Sequence, residues 1–157
     1  MGKTLTFIFT VICAVALVGC NGEAPQEVID AIPIIVVDDS TYQAYLIIVG
    51  DSLSVITQME GNIEGDILHL IVTFLGGCEE QQFELIASGG IAKSLPPYGF
   101  ALLINSGPAD TCQAETRTSL DFDLTPYREH LQSSGLLESG KIYLVLNEGL
   151  AQYEYHF

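Results

Sequence analysis

The chain predicts an all-β fold: an antiparallel β-sandwich, immunoglobulin-like or related, with one short helix. Three observations point there. Apolar and polar residues alternate with period two in several segments, glycine-rich turns separate those segments at short intervals, and a single stretch carries the start and stop signals of a helix. A small closed β-barrel is the alternative. With 157 residues, of which 48% are hydrophobic, there is room for one domain with a real core, and disorder is disfavoured.

Residues 34–37 read as a short edge strand. Residues 42–49 and 53–58 flank Gly50-Asp51-Ser52 and read as a hairpin. Residues 66–75 are almost continuously apolar, which predicts a central strand covered on both faces. Gly76-Gly77 then lets the chain turn into residues 81–87, where Phe83, Leu85 and Ala87 point inward and Gly89-Gly90 ends the run. These two strands are expected to form a hairpin with Cys78 at the bend. Residues 98–105 follow Pro96-Pro97, which does not fit inside a central strand.

The clearest strand is 113–124. Gln113, Glu115, Arg117, Ser119, Asp121 and Asp123 are polar, while Leu120, Phe122 and Leu124 on the other face are apolar, preceded there by Ala114, Thr116 and Thr118. A helix is expected over 126–132, with Thr125 as N-cap, Pro126 in the first turn and Gly135 as the stop. Residues 141–147 and 151–157 form the last pair around an Asn147-Glu148-Gly149 turn, and Ala151, Tyr153, Tyr155 and Phe157 share one face. Alternation favours core packing for Tyr153 and Tyr155 over a binding face.

The first residues read as an address. Met1-Gly2-Lys3 gives a positive start, and residues 4–18 are apolar apart from their threonines, a run shorter than the about 20 residues that a membrane-spanning helix needs. Leu17-Val18-Gly19-Cys20 resembles the lipobox of bacterial lipoproteins. That resemblance implies cleavage between Gly19 and Cys20, a diacylglyceryl thioether on Cys20 and an acylated amino terminus, and so a stable lipid anchor. An uncleaved anchor or a simple secretory signal is the alternative. The expected organisation is a signal peptide over 1–19, a polar tether over 20–32 and the β domain over 33–157. Asn21 is not the aspartate of an inner-membrane retention signal, which favours the outer membrane, on either its periplasmic or its surface face.

Of the four cysteines, Cys13 leaves with the signal and Cys20 takes lipid, so Cys78 and Cys112 remain. In an oxidising compartment an even pair reads as one disulfide. A nucleophile is the weaker reading, because Glu79 and Glu80 adjoin Cys78 and would raise its pKa. A metal site is weaker too: His69, His130 and His156 form no HxxxH or CxxC arrangement with the cysteines.

Five Lys and Arg against twenty Asp and Glu give a formal charge of -15, which disfavours nucleic acid and docking on anionic lipid through protein charge. Glu60, Asn62, Glu64 and Asp66 place oxygen donors at alternate positions and are weak candidates for a calcium loop, without the EF-hand spacing. Asp121, Asp123 and Glu115 share one wet face, where paired carboxylates would suit acid–base work or Ca²⁺, although solvation is the plainer reading. Asp38-Asp39 and Glu79-Glu80 read as acidic loops. No Gly-x-Ser-x-Gly elbow, P-loop or dinucleotide fingerprint occurs. A hydrolase would need a cleft that joins a histidine to a carboxylate or a hydroxyl.

The order Gly76-Gly77-Cys78, Phe83-Glu84-Leu85, Pro96-Pro97, Cys112 and Leu120-Asp121-Phe122-Asp123-Leu124-Thr125-Pro126 resembles a group of small uncharacterised bacterial lipoproteins with a Gly-Gly-Cys hairpin, a Phe-Asp-Leu segment and an aromatic C-terminus. The resemblance spans about residues 65–157 and implies no activity. Members place a histidine just after the Gly-Gly-Cys turn, where this chain has Gln81. The sequence thus leads to a lipid-anchored, non-enzymatic envelope protein with a binding or structural role, no cofactor besides the lipid on Cys20, and an envelope protein as possible partner. A Ca²⁺- or small-ligand-binding lipoprotein is the alternative.

Overall fold

Strand alternation sorts the chain into two sheets that share one core. The computed structural model describes residues 31–49, 56–108 and 111–157. The signal peptide, Cys13, the lipobox with Cys20, Asn21, most of the tether and the Gly50-Asp51-Ser52 turn lie outside the described residues. The unit Ala31–Phe157 contains, in order, β1 (Val36–Val37), α1 (Asp39–Val49), β2 (Ile56–Glu64), β3 (Ile67–Leu75), β4 (Phe83–Ala92), β5 (Tyr98–Asn105), β6 (Glu115–Asp123), α2 (Thr125–Ser133), β7 (Lys141–Leu146) and β8 (Ala151–His156). One sheet has the order β1-β4-β5-β7-β8 and the other β2-β3-β6. Their inner faces meet through Leu68, Leu70, Val72, Phe74 and Phe122 on one side and Leu85, Leu103, Ile142, Leu144 and Tyr155 on the other. The fold is mostly β, with two sheets and no closed barrel among the described residues.

Several expectations change. Residues 42–49 form a helix, because Asp38 caps it: its Oδ1 accepts from the Ser40 backbone N–H at 2.9 Å and from Ser40 Oγ at 2.7 Å, and its Oδ2 accepts from Thr41 Oγ1 at 2.5 Å. Those bonds hold the Asp38 carboxyl down at about 2. Tyr42, with Tyr45 and Leu46 beside it, covers Ile86, Leu102 and Ile104 on the outer face of the larger sheet. The molecule therefore has two described helices and a small second core under α1.

The expected hairpin across Gly76-Gly77 is absent: β3 pairs with β2 and β6, whereas β4 lies in the other sheet. Each flanking strand finds partners in its own sheet, so the connection crosses between layers. Nor is β3 covered on both faces. Its outer side leaves Ile71 38% and Leu75 44% exposed, and the strand buried on both faces is β5, with Ala101 to Ile104 all buried. The larger sheet is mixed, since β1–β4 and β5–β7 are parallel. Parallel neighbours need long crossovers, and both pairs have them, through α1-β2-β3 and β6-α2 respectively.

Helix α2 starts one residue before its expected first residue, so Leu124 rather than Thr125 is the N-cap. The capping carboxylate is Asp123, whose Oδ1 accepts from the Thr125 N–H at 2.8 Å. Gly135, at φ 66°, ends the helix in a Schellman motif: its N–H reaches Gln132 O and the Leu136 N–H reaches Leu131 O. The turn between β7 and β8 falls at Asn147-Glu148-Gly149 as expected. Asn147 is buried there, and its side-chain amide pairs with both the N–H and the C=O of Leu103, at 2.7 and 3.0 Å, extending the ladder of β5.

Candidate functional site

Strand β6 forms one margin of the smaller sheet. The ladder geometry is set at its two ends. Gly76 N–H donates to Ala114 O at 2.9 Å and Leu124 N–H to Asp66 O at 2.7 Å, so the even-numbered residues of β6 direct their backbone groups to β3. The odd-numbered residues direct theirs outward. At the C-terminal end this outward edge is occupied: Asp123 donates to Pro33 O and accepts from Ile35 N–H, both at 3.0 Å. Two residues later the same segment joins β4, Val36 opposite Ile86. Residues 33–37 thus strap the two sheets together at that end.

At the other end no strand covers the margin among the described residues. A cleft of about 360 Å³ is lined by Phe74, Gly77, Glu79, Glu80, Gln81, Phe83, Thr116, Arg117, Thr118 and Leu120. Its floor is apolar, with the Phe74 and Phe83 rings edge to face and 5.2 Å apart. Its wall is the core-facing side of β6, where Thr116, Thr118 and Leu120 are half-buried. Glu79 and Glu80 line it as exposed residues, as does Arg117, whose guanidinium pairs with Glu60 at 2.9 Å.

The Gly-Gly-Cys connection shapes this cleft. Gly76 and Gly77 have φ of 131° and 99°, and a Cβ on Gly77 would run into the Thr116 side chain. The Thr116 hydroxyl donates to Gly76 O at 2.7 Å. Cys78 and Cys112 lie at disulfide distance, with Cα atoms 5.9 Å apart, so the connection is pinned to the chain just before β6. Gln81 takes a hydrogen bond from Asn105 Nδ2 at 2.6 Å and donates to Glu79 O at 3.1 Å, which sets the path of the acidic turn.

The other site expectations separate in space. Glu60, Asn62 and Glu64 are on the wet face of β2 and not in a loop; Gln58 bonds Glu60 at 2.6 Å and Asn62 bonds Glu64 at 2.9 Å. Asp66 turns away from them, paired with Arg128 and accepting from Tyr155 Oη at 2.6 Å. Beside that carboxylate, burial and the hydrogen bond push the Tyr155 hydroxyl's pKa far up. Among the described residues no three His, Cys, Asp or Glu side chains converge as metal ligands.

Asp121 pairs with His69 at 2.8 Å and Asp123 with Thr125, so these two carboxylates do not act on a common point. His156 pairs with Glu154 at 2.5 Å. His130 lies beside Asp39 and Ser88, a grouping the sequence did not suggest, but the geometry is not that of a nucleophile and base. Ser88 Oγ donates to Asp39 at 2.8 Å, and His130 Nε2 faces the Gly89 carbonyl at 2.8 Å, so that nitrogen carries its proton and is not a base toward Ser88.

The cleft residues Phe74, Phe83, Thr116 and Thr118 were missed as a group. A signal was present: the apolar face of 113–124 begins with Ala114, Thr116 and Thr118 before turning to Leu120, Phe122 and Leu124.

No known protein family and no curated protein matches the chain. Among solved structures it is similar to a Bacteroides vulgatus protein of unknown function, DUF1344, at 15% identity and a TM-score of 0.38, over 80% of this chain and 56% of that one. The chain therefore spans little more than half the length of that protein, and a likeness this distant contributes nothing to the reading of the site.

Proposed function

We propose that the chain is a lipid-anchored envelope lipoprotein whose β domain is a non-enzymatic binding module, with the cleft beside Cys78 and Cys112 as its contact surface. The observation that carries the binding half is the cleft itself, where an apolar floor meets an acidic rim on a pinned loop. The anchor half rests on the charged start, the apolar run and the lipobox ending in Cys20, with the outer membrane as the location favoured by Asn21. As to type, packing of two sheets over one core supports a relation to immunoglobulin-like sandwiches, and the two parallel pairings distinguish this version.

Such a module needs no cofactor beyond the lipid. Its ligand is an apolar group flanked by positive charge, supplied by an envelope partner. A photo-crosslinking residue at Thr118 in intact cells should give a discrete adduct that the same residue at Glu148, on the β7–β8 turn, does not give. Equal labelling from both positions, or none from Thr118, contradicts the binding reading. Cys20→Ala should move the protein out of the membrane fraction; retention there contradicts the anchor.

A further inference from the structure

Resting on the reading of the cleft as a contact surface, we infer that its occupant is an extended, basic peptide segment that adds to the open edge of β6 as a fourth strand of the smaller sheet. Three observations combine. The outward backbone groups of Glu115, Arg117, Ser119 and Asp121 have no strand against them among the described residues, whereas those of Asp123 are taken by residues 33–35. The edge already accepts a parallel backbone at that end, where Ile34 bridges Asp123. Beside the uncovered stretch, the core-facing positions Thr116, Thr118 and Leu120 line the cleft, with Leu120 also packed against the core.

An added strand would satisfy both features at once. Its backbone would pair with the odd residues of β6, and alternate side chains would enter the cleft over Phe74, Phe83 and Leu120, while the intervening ones would lie on the wet face. Charge selects the partner. Glu79 and Glu80 line the cleft and Glu115 and Asp121 lie along the strand, Asp121 paired with His69 and Arg117 with Glu60, so acids outnumber the one arginine along this margin. A second copy would bring acid against acid on a chain of formal charge -15, and charged side chains on an edge oppose self-pairing of this kind. A strand alternating apolar and cationic residues meets both the floor and the rim.

The probe is a capped peptide of alternating lysine and valine, titrated by fluorescence anisotropy against the mature domain. It should bind saturably and weaken as salt is raised. Methylating the backbone nitrogens on its ladder-forming edge should weaken binding by about tenfold or more, as should replacing lysine with glutamate. Ser119→Pro, which removes an outward N–H and spares the β3 ladder, should weaken it comparably while the circular dichroism spectrum is kept. Absence of binding by the lysine–valine peptide overturns the inference, and equal binding of the N-methylated peptide does so as well. The second outcome leaves the cleft reading standing, because the Thr118 crosslink judges that reading without reference to strand addition.

Discussion

The two ends of β6 obey the same alternation and meet different fates. Around Asp123 the outer edge is bonded to residues 33–35, the inner face is Phe122 and Leu124 in the core, and Asp66, Arg128 and Tyr155 tie the neighbouring elements together. Around Glu115 the edge is uncovered among the described residues, the inner face is hydroxyl, and the cross-link to the rest of the fold is the cysteine pair. A strand's period thus tells which side faces inward. What the inward side meets depends on a segment far away in sequence, here residues 33–37.

Substitutions should separate the two ends. Phe122→Ala, at a fully buried site at the closed end, should cost about 3–5 kcal/mol. Thr118→Ala at the open end should cost less than about 1 kcal/mol, in keeping with a half-exposed site. Denaturant melts of the two variants test this, and comparable losses would mean that the cleft wall is packed like core. Cys78→Ser with Cys112→Ser should lower stability by about 3–4 kcal/mol in the chain-entropy account and shift the melt accordingly. A shift below about 1 kcal/mol would show that the pair does not constrain the chain.

Tyr155→Phe removes a hydrogen bond to the Asp66 carboxylate and should cost about 1.5–3 kcal/mol at the closed end, read by the same melts. The smallest effect concerns acid. Hydrogen bonds from Thr125 hold the Asp123 carboxyl below its ordinary 3.8, and those from Thr41 and Ser40 hold Asp38 at about 2. Both groups are depressed in the folded state, so their contribution is present above the unfolded value near 3.8 and is lost as pH falls through the folded values. Acid titrations should therefore show falling stability below about pH 4, with a shallower fall in Asp123→Asn and in Asp38→Asn. Slopes unchanged in both variants would exclude these caps as the source.

The period-two pattern of 113–124, the final hairpin and helix α2 were legible in the sequence, because each is governed by local alternation or by local caps. Helix α1 was hidden by the apolar run from Tyr42 to Val49, which suits a strand as well as a helix, although Asp38 with Ser40 and Thr41 was a start signal. The separation of β3 and β4 into different sheets was not legible: Gly76-Gly77 permits a tight turn and a crossing alike, and only the pairings of β3 with β2 and β6 decide between them. The site was half legible. The acidic turn at Glu79 and Glu80 and the cysteine pair were visible, but the cleft also needs Phe83 to approach Phe74 across the layers, and no local pattern reports that contact.

Residue-resolved amide hydrogen exchange of β6 tests the contrast between its ends most directly. Thr116, Thr118, Leu120 and Phe122 should be protected by β3, Asp123 should be protected by Pro33, and Glu115, Arg117, Ser119 and Asp121 should exchange as unpaired edge amides. Protection at Arg117, Ser119 and Asp121 equal to that at Asp123 would mean that the edge is already covered along its length and would contradict an open margin beside the cleft.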